Sequence, residues 1–447
     1  MKIFIHLFLL MLFFLAGPPV KAQLSLEGQL RTRTEVLHGQ GAPLPKGSPA
    51  AFFTSQRTRL NVGYSQNRLT LKTVVQDVRI WGQDASTNNR ISPGTNNGLM
   101  LHEAWAEIDL LDSSHTQQGK AIKLKIGRQE LLYDDSRLLG NLDWLQQGRR
   151  HDAAILKFQI PNLSLHIGAA YNQNRESKSG TLYDGVPVGY PAGTNGIGTM
   201  YKSMQYAYIN KKTGRGNLSF LFFKDDFQKY SLSETGVKIG ENGTWKRITL
   251  GPYLHTKVGK VWDIQASAYL QTGQDPAGRN IAAYMYTLKA TAQLNESVSL
   301  GPGFDLSSGG TGSKNKSFDP LYGTPHKFWG QMDYYYTASS FGQGGLADLY
   351  LHSHLKLSNK LNLQASLHHF SSASALSTED GNPASRNLGS EVDLIAQYNL
   401  SPTIGFQAGY SHYFSTNSLA RLKGITNAQK QADWAYLMIN IQPNFLR

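Results

Sequence analysis

The chain contains no cysteine, which excludes a disulfide framework and any thiolate-ligated metal or iron–sulfur centre. It also lacks, beyond its first residues, the run of about 18 or more apolar residues that a membrane-crossing helix needs. Mean hydropathy is low, at −0.36. Acidic residues are scarce, 31 against 44 Lys and Arg, so the formal charge is +13 and anionic partners are favoured. Nucleic acid is not expected, because no recognisable binding motif accompanies the charge.

The beginning of the chain carries the first positive signal. Lys2 supplies a basic start, residues 3–16 are apolar, and Val20-Lys21-Ala22 is a small-x-small cleavage site. Residues 1–22 therefore read as a secretory signal peptide, and residues 23–447 as one mature, exported domain. Low hydropathy is compatible with a membrane protein if the chain crosses in strands, since only every second strand residue then meets lipid. The 44 Gly, 22 Tyr and 19 Phe suit short strands, tight turns and aromatic girdles.

Alternation of period two supports that reading. In residues 24–36, Leu24, Leu26, Leu30 and Val36 share one parity, and Glu27, Arg31, Arg33 and Glu35 share the other. In a soluble β-sandwich the hidden face should be the apolar one. Here the arrangement suits lipid outside and water inside. Arg57 and Arg59 again share a face opposite Leu60, Val62 and Tyr64, and Trp262, Ile264, Ala266, Ala268 and Leu270 alternate with polar residues. At Asp77 and Arg79 charge falls on the apolar parity, so either a bulge shifts the register or the strand has left the bilayer.

Short polar turns alternate with long polar loops along the chain, as short periplasmic turns and long outer loops do in outer-membrane barrels. Residues 327–338 look like a strand, but counting them puts two neighbours in the same direction; assigned to a 309–345 outer loop, they leave an even count of eighteen. The expected fold is all-β: a transmembrane, antiparallel, up-and-down barrel. Outer loops are expected at 227–244 and 274–280, among others, and Phe445 near the end of the last strand suits assembly into the outer membrane.

Residues 120–160 carry the densest chemistry. Ile122, Leu124 and Ile126 alternate with lysines on one side, and Ala154, Leu156, Phe158 and Ile160 form a second strand-like run. Between them lies a long loop crowded with Arg128, Arg137, Arg149 and Arg150 against Glu130, Asp134, Asp135, Asp143 and Asp152. It is expected to fold toward a pore. A decorated hairpin in a soluble sandwich is the alternative for this stretch alone.

The motifs resemble the alginate export family of outer-membrane barrels over almost the whole mature chain. Gly127-Arg128-Gln129, Leu131, Tyr133, Asp135, Arg137-Leu138-Leu139-Gly140, Trp144 and 149–152 carry the resemblance. So do residues 75–79, His102-Glu103-Ala104-Trp105, Ser317-Phe318-Asp319, His326, Gly330, Asp333 and Leu388 to Asp393. Asp134-Asp135 departs from the Gly-Asp expected there. The resemblance implies a monomeric barrel that passes an anionic polysaccharide or oligosaccharide passively through an Arg- and Lys-lined constriction balanced by carboxylates.

Arginine suits such a pore because it stays charged and presents a planar fork to carboxylates. Parity nominates Arg57 and Arg59. The resemblance nominates Arg79, Arg128, Arg137 and Arg149, although the parity of Ile122, Leu124 and Ile126 would turn Arg128 outward unless Gly127 permits a bulge. Glu103, Asp152, Glu391 and Asp393 are the acidic partners favoured; a salt-bridge network bracing the barrel is the plain structural reading of the same residues. Outer-membrane lipid and a periplasmic export partner are the other expected partners.

Two other classes compete: a general or anion-selective diffusion porin for small solutes, and a barrel-borne lipid hydrolase. Neither a nucleophile motif nor a third ligand accompanies His352, His354, His368 or His369, and Asp305, Asp319 and Asp333 lack a dense calcium loop. No enzyme activity, metal or cofactor is expected.

Overall fold

The computed structural model describes residues 23–82, 99–112, 118–173, 176–181, 183, 200–234, 238–310, 312–335, 344–377 and 382–446. Both the cleavage signal and much of the 82–98 and 174–200 loops lie outside them. Eighteen antiparallel strands close into a barrel. In order they are β1 (Gln23–His38), β2 (Ala51–Gln66), β3 (Leu69–Ile80), β4 (Met100–Asp109), β5 (Ala121–Gln129), β6 (His151–Ile160), β7 (Leu163–Tyr171), β8 (Ser203–Thr213) and β9 (Gly216–Leu232). The second half comprises β10 (Lys238–Val258), β11 (Trp262–Gln274), β12 (Asn280–Gln293), β13 (Val298–Ser307), β14 (Leu346–Lys356), β15 (Leu361–Ser371), β16 (Asn387–Ser401), β17 (Ile404–Ser415) and β18 (Gln431–Ile441). Each strand pairs with its sequence neighbours, and β1 closes the wall by pairing with β2 on one side and β18 on the other. A terminal segment, Asn444–Leu446, adds to β1.

Alternation decides which side of the wall each residue meets. Leu24, Leu30 and Val36 are exposed outward while Arg31, Arg33 and Glu35 are buried inside. Leu270 and Leu288 likewise face out, opposite the lumen-facing Tyr269 and Thr287. The turns at Asn67, Asn162 and Gly259 adopt positive φ, as tight hairpins require. Two strands run past the expected bounds. The β9–β10 hairpin continues through residues placed in an outer loop, pairing Leu232 with Lys238, with Tyr230 edge-on to Trp245.

The main hydrophobic core lies inside the barrel. Among the described residues, the connections that fill most of the lumen are the β5–β6 loop, 130–150, and the described part of the β13–β14 loop, 312–335, joined at the core by Leu419 of the β17–β18 connection. Leu131, Leu138 and Leu139 of the first pack with Phe318, Tyr322, Trp329 and Met332 of the second, against Tyr206, Phe223, Met285, Phe370 and Trp434 of the wall. Full burial of one such side chain contributes on the order of 1.5–3 kcal/mol. Residues 327–335 are therefore not a nineteenth barrel strand, and they do not project from the barrel as a free outer loop; the chain at Pro325–Lys327 makes one short 3-10 turn and then lines the lumen.

Candidate pore constriction

The two inserted loops are joined before they meet the wall. Tyr322 N–H donates to the Leu138 carbonyl at 2.9 Å, Gly140 N–H to the Tyr322 carbonyl at 3.0 Å, and Thr324 N–H to the Ser136 carbonyl at 2.9 Å. Leu139 and Tyr322 thus form a parallel bridge. Arg149 donates to the Gly323 carbonyl from the base of the first loop. Trp144 stacks on His326 with ring centroids 4.0 Å apart.

Ion pairs then stitch this double loop to the wall. Arg137 is buried, 3.2 Å from Asp135 of its own loop and 2.5 Å from Asp305 of β13, with its guanidinium 3.8 Å from the Phe328 ring. Burial alone would lower the Arg137 pKa, but Asp305 and Asp135 hold it above the ordinary value. On the other side Arg247 of β10 bridges Asp225 of β9 at 2.5 Å and Asp319 of the second loop at 2.6 Å. Glu391 of β16 accepts the Met332 N–H at 2.7 Å. Gly330 is needed there, with φ at 82° and no room for a Cβ against the Glu391 carboxylate.

Opposite those stitches, adjacent strands β1 and β2 send arginines onto one carboxylate. Asp143 of the first loop takes Arg57 at 2.8 Å, Arg31 at 3.2 Å and Arg59 at 3.2 Å. Inward parity and direct strand pairing make this possible, since Arg31 and Arg57 sit opposite each other in the ladder. Burial pushes the Asp143 carboxyl up, yet the guanidiniums of Arg57, Arg31 and Arg59 hold it below the usual carboxylate range. Three guanidiniums against one carboxylate leave a local cationic surplus. The group is extended by Arg33, which lies 2.8 Å from Glu35 and stacks its guanidinium 4.3 Å from the Trp144 ring. Arg59 also reaches His102 at 3.0 Å, which contacts Glu130 at 2.9 Å. Below the cluster opens a cavity of about 730 Å³ lined by Arg57, Arg59 and Asp143.

The structure divides the nominated residues. Arg57, Arg59, Arg137, Arg149, Glu103, Glu391 and Asp393 face the lumen or its inserted loops. Arg79, Arg128 and Asp152 do not. The β2–β3 register runs without a break from Gln66–Leu69 to Ser55–Ile80, so Asp77 and Arg79, 2.7 Å apart, stay on the outward parity near the outer end. Gly127 has φ at 118°, but Arg128 keeps the parity of Ile126 and forms a bidentate pair, 2.8 Å at each contact, with Asp152, itself on the outward parity of Ala154. The favoured acids also pair differently. Glu103 bonds Lys72 at 2.5 Å and Trp105 at 2.9 Å, and Asp393 accepts Ser411 at 2.6 Å. The carboxylate that organises the arginines, Asp143, was not nominated, although it lies in the recognised loop next to Trp144; Arg31 was visible by parity.

The model of the alginate export family matches residues 22–432. The chain belongs to the alginate export family. No curated protein matches this alginate export chain at a significant level. Its fold is similar to solved outer-membrane proteins. OccAB4 of Acinetobacter baumannii aligns at TM-score 0.61 and 11% identity, over 96% of this chain and 100% of that one. OpdK of Pseudomonas aeruginosa aligns at 0.60 and 12%, over 95% and 99%. Another OpdK structure, determined with vanillate, aligns at 0.56 and 12%, over 94% and 99%. Family and fold together make this an outer-membrane channel.

Proposed function

We propose that this channel passes an anionic, carboxylate-bearing saccharide of the alginate type, passively and without catalysis, along a path that the Arg31, Arg57, Arg59 and Asp143 cluster narrows and charges. The observation that carries the reading is three lumen guanidiniums converging on one carboxylate beside a cavity of about 730 Å³. A narrow cationic path with low-dielectric walls concentrates anions, and conduction needs contacts weak enough to release them. The neighbouring carboxylate moderates the arginines. The protein acts as a single barrel in outer-membrane lipid, driven by a gradient or by a periplasmic partner.

Planar-bilayer conductance tests this. Anion selectivity with partial block by polyuronate chains is the expected result; a large, weakly selective, unblockable conductance would overturn it. One observation favours a second reading, in which small carboxylates are the solutes: the two inserted loops occupy much of the lumen, and a protein of similar fold was crystallised with the monocarboxylate vanillate. That reading expects permeation of aromatic monocarboxylates with no polyuronate block.

A further inference from the structure

Below the inserted loops the lumen wall has two unlike arcs. On β3 to β6 it is charged, with four lysines against two glutamates. Lys72 pairs with Glu103 at 2.5 Å, Lys157 and Lys123 share Glu107 at 2.5 and 3.5 Å, and Lys125 lies 3.8 Å over the Trp105 ring. From β15 round to β2 the same level is mostly amide, with one carboxylate, Glu27 of β1, opposite Asn61. Inward parity places Asn362 and Gln364 on β15, Gln397 on β16, Gln407 on β17, Asn440 on β18 and Asn61 on β2.

The amide arc keeps much of its hydrogen-bonding capacity open. Gln29 donates to Asn440 at 2.9 Å, Tyr436 to Gln407 at 3.0 Å, and Gln397 reaches Asn399 only at 3.5 Å. Among the described residues, the side chains of Asn61, Asn362, Gln364 and Gln442 have no protein hydrogen-bond partner. The arc lines a cavity of about 740 Å³ with Gln397, Gln407, Asn440 and Gln442. Gln442, Pro402 and Thr403 also border the cavity beneath Arg57, Arg59 and Asp143, so the two spaces adjoin.

We propose that this amide arc is a saccharide subsite that binds sugar hydroxyls. The chemistry selects the ligand class. A path built for anions alone would present donors, and an amide oxygen has nothing to give a carboxylate. An amide offers both donor and acceptor without charge, as a hydroxyl does, so Asn and Gln side chains match the hydroxyl-bearing edge of a sugar. The arginine cluster next to it takes the carboxylate. One uronate chain can therefore use both surfaces, and in that respect the proposal rests on the function given above. The charged arc opposite presents ammonium donors and paired carboxylates in place of open amides.

The test uses the full barrel in planar bilayers with a linear, neutral gluco-oligosaccharide as the probe, which the arginines cannot hold by charge. Wild-type protein is expected to show transient current block. Gln364→Met with Gln397→Met and Gln442→Met, near-isosteric and lumen-facing, is expected to weaken that block at least about tenfold, as loss of several hydrogen bonds should. Heat-modifiable migration on gels confirms a folded barrel; if the triple variant does not fold, Gln397→Met alone is expected to weaken block about threefold. Absence of block in wild type, or unchanged block in the folded variant, overturns the subsite. So does an equal loss in Lys123→Met with Glu107→Gln on the opposite arc. Polyuronate block and anion selectivity are read separately, so failure of the amide subsite and failure of the anion channel give different results.

Discussion

Arg57 and Arg59 differ from Arg79 and Arg128 in one respect that outweighs all others, the side of the wall they occupy. All four lie on strands and each is close to a carboxylate. The inner two converge with Arg31 on Asp143, which belongs to a loop, and three cations share one anion. Each outer one has a carboxylate of its own, Asp77 for Arg79 and Asp152 for Arg128. A charge on the lipid face costs about 2–4 kcal/mol at the bilayer midplane for Arg or Lys and little near the interface. At the outer strand ends each outward arginine is neutralised by its own carboxylate. Inside, Asp143, Gln29 and loop carbonyls satisfy the buried guanidiniums, and the surplus charge borders the cavity beside them.

The sharpest way to break the comparison is to reverse the inner charges. Arg57→Glu with Arg59→Glu is expected to lower the anion-to-cation permeability ratio by about tenfold or more, read from reversal potentials under a salt gradient. An unchanged reversal potential in a folded barrel would remove both residues from the constriction. Asp143→Asn should move selectivity the other way, raising anion preference about two- to fivefold by uncovering three guanidiniums; a shift toward cations would show that the cluster does not face the conducting path. Arg128→Ala with Asp152→Ala is the outward control. Selectivity should stay put, and the unfolding free energy in vesicles should change by about 1 kcal/mol at most, as for an exposed pair. A selectivity change there would put the pair on the wrong side of the wall.

The smallest expected effect comes from Asp134, in the first inserted loop. Burial pushes its carboxyl up to about 6, against hydrogen bonds from Ser219 and Tyr208 that favour ionisation, with the nearby Asp135 adding to the rise. Its folded value lies above the ordinary one, so docking of the loop is favoured below about pH 4 and that contribution is lost as pH rises through about 6. Ionisation also adds a negative charge to the lumen. Anion preference should fall less than about twofold between pH 5 and 7. The change should be smaller in Asp134→Asn; a response equal to wild type there would assign the titration to another group.

Parity proved the most informative feature of the chain because a strand has only two faces and a barrel gives them opposite solvents. It was sufficient for the outward leucines and for the inward side of Arg31, Arg57 and Arg59; the alternation of short and long connections, not parity, excluded 327–335 as a barrel strand. Where family resemblance and parity disagreed, at Arg128, parity was right: a motif says that a residue recurs, not which side it faces. At Asp77 and Arg79 the β2–β3 register is unbroken, so the parity of β3 holds; the register shift beside them lies in the β3–β4 ladder, where β4 carries the extra residue His102. The inward fold of 312–335 had no local signal. It depends on contacts such as Arg247 with Asp319 and Met332 with Glu391, which join residues far apart in the chain. Asp134 did leave a trace, since it stands where glycine was expected and has φ at 52°.

The seam at Leu139 and Tyr322 makes the two inserted loops share a backbone ladder and restrains them as one body. Retracting either would mean tearing the other's hydrogen bonds as well. These two segments are therefore not independent flaps: the ladder makes them one plug, tied to the wall at Asp305, Asp319 and Glu391.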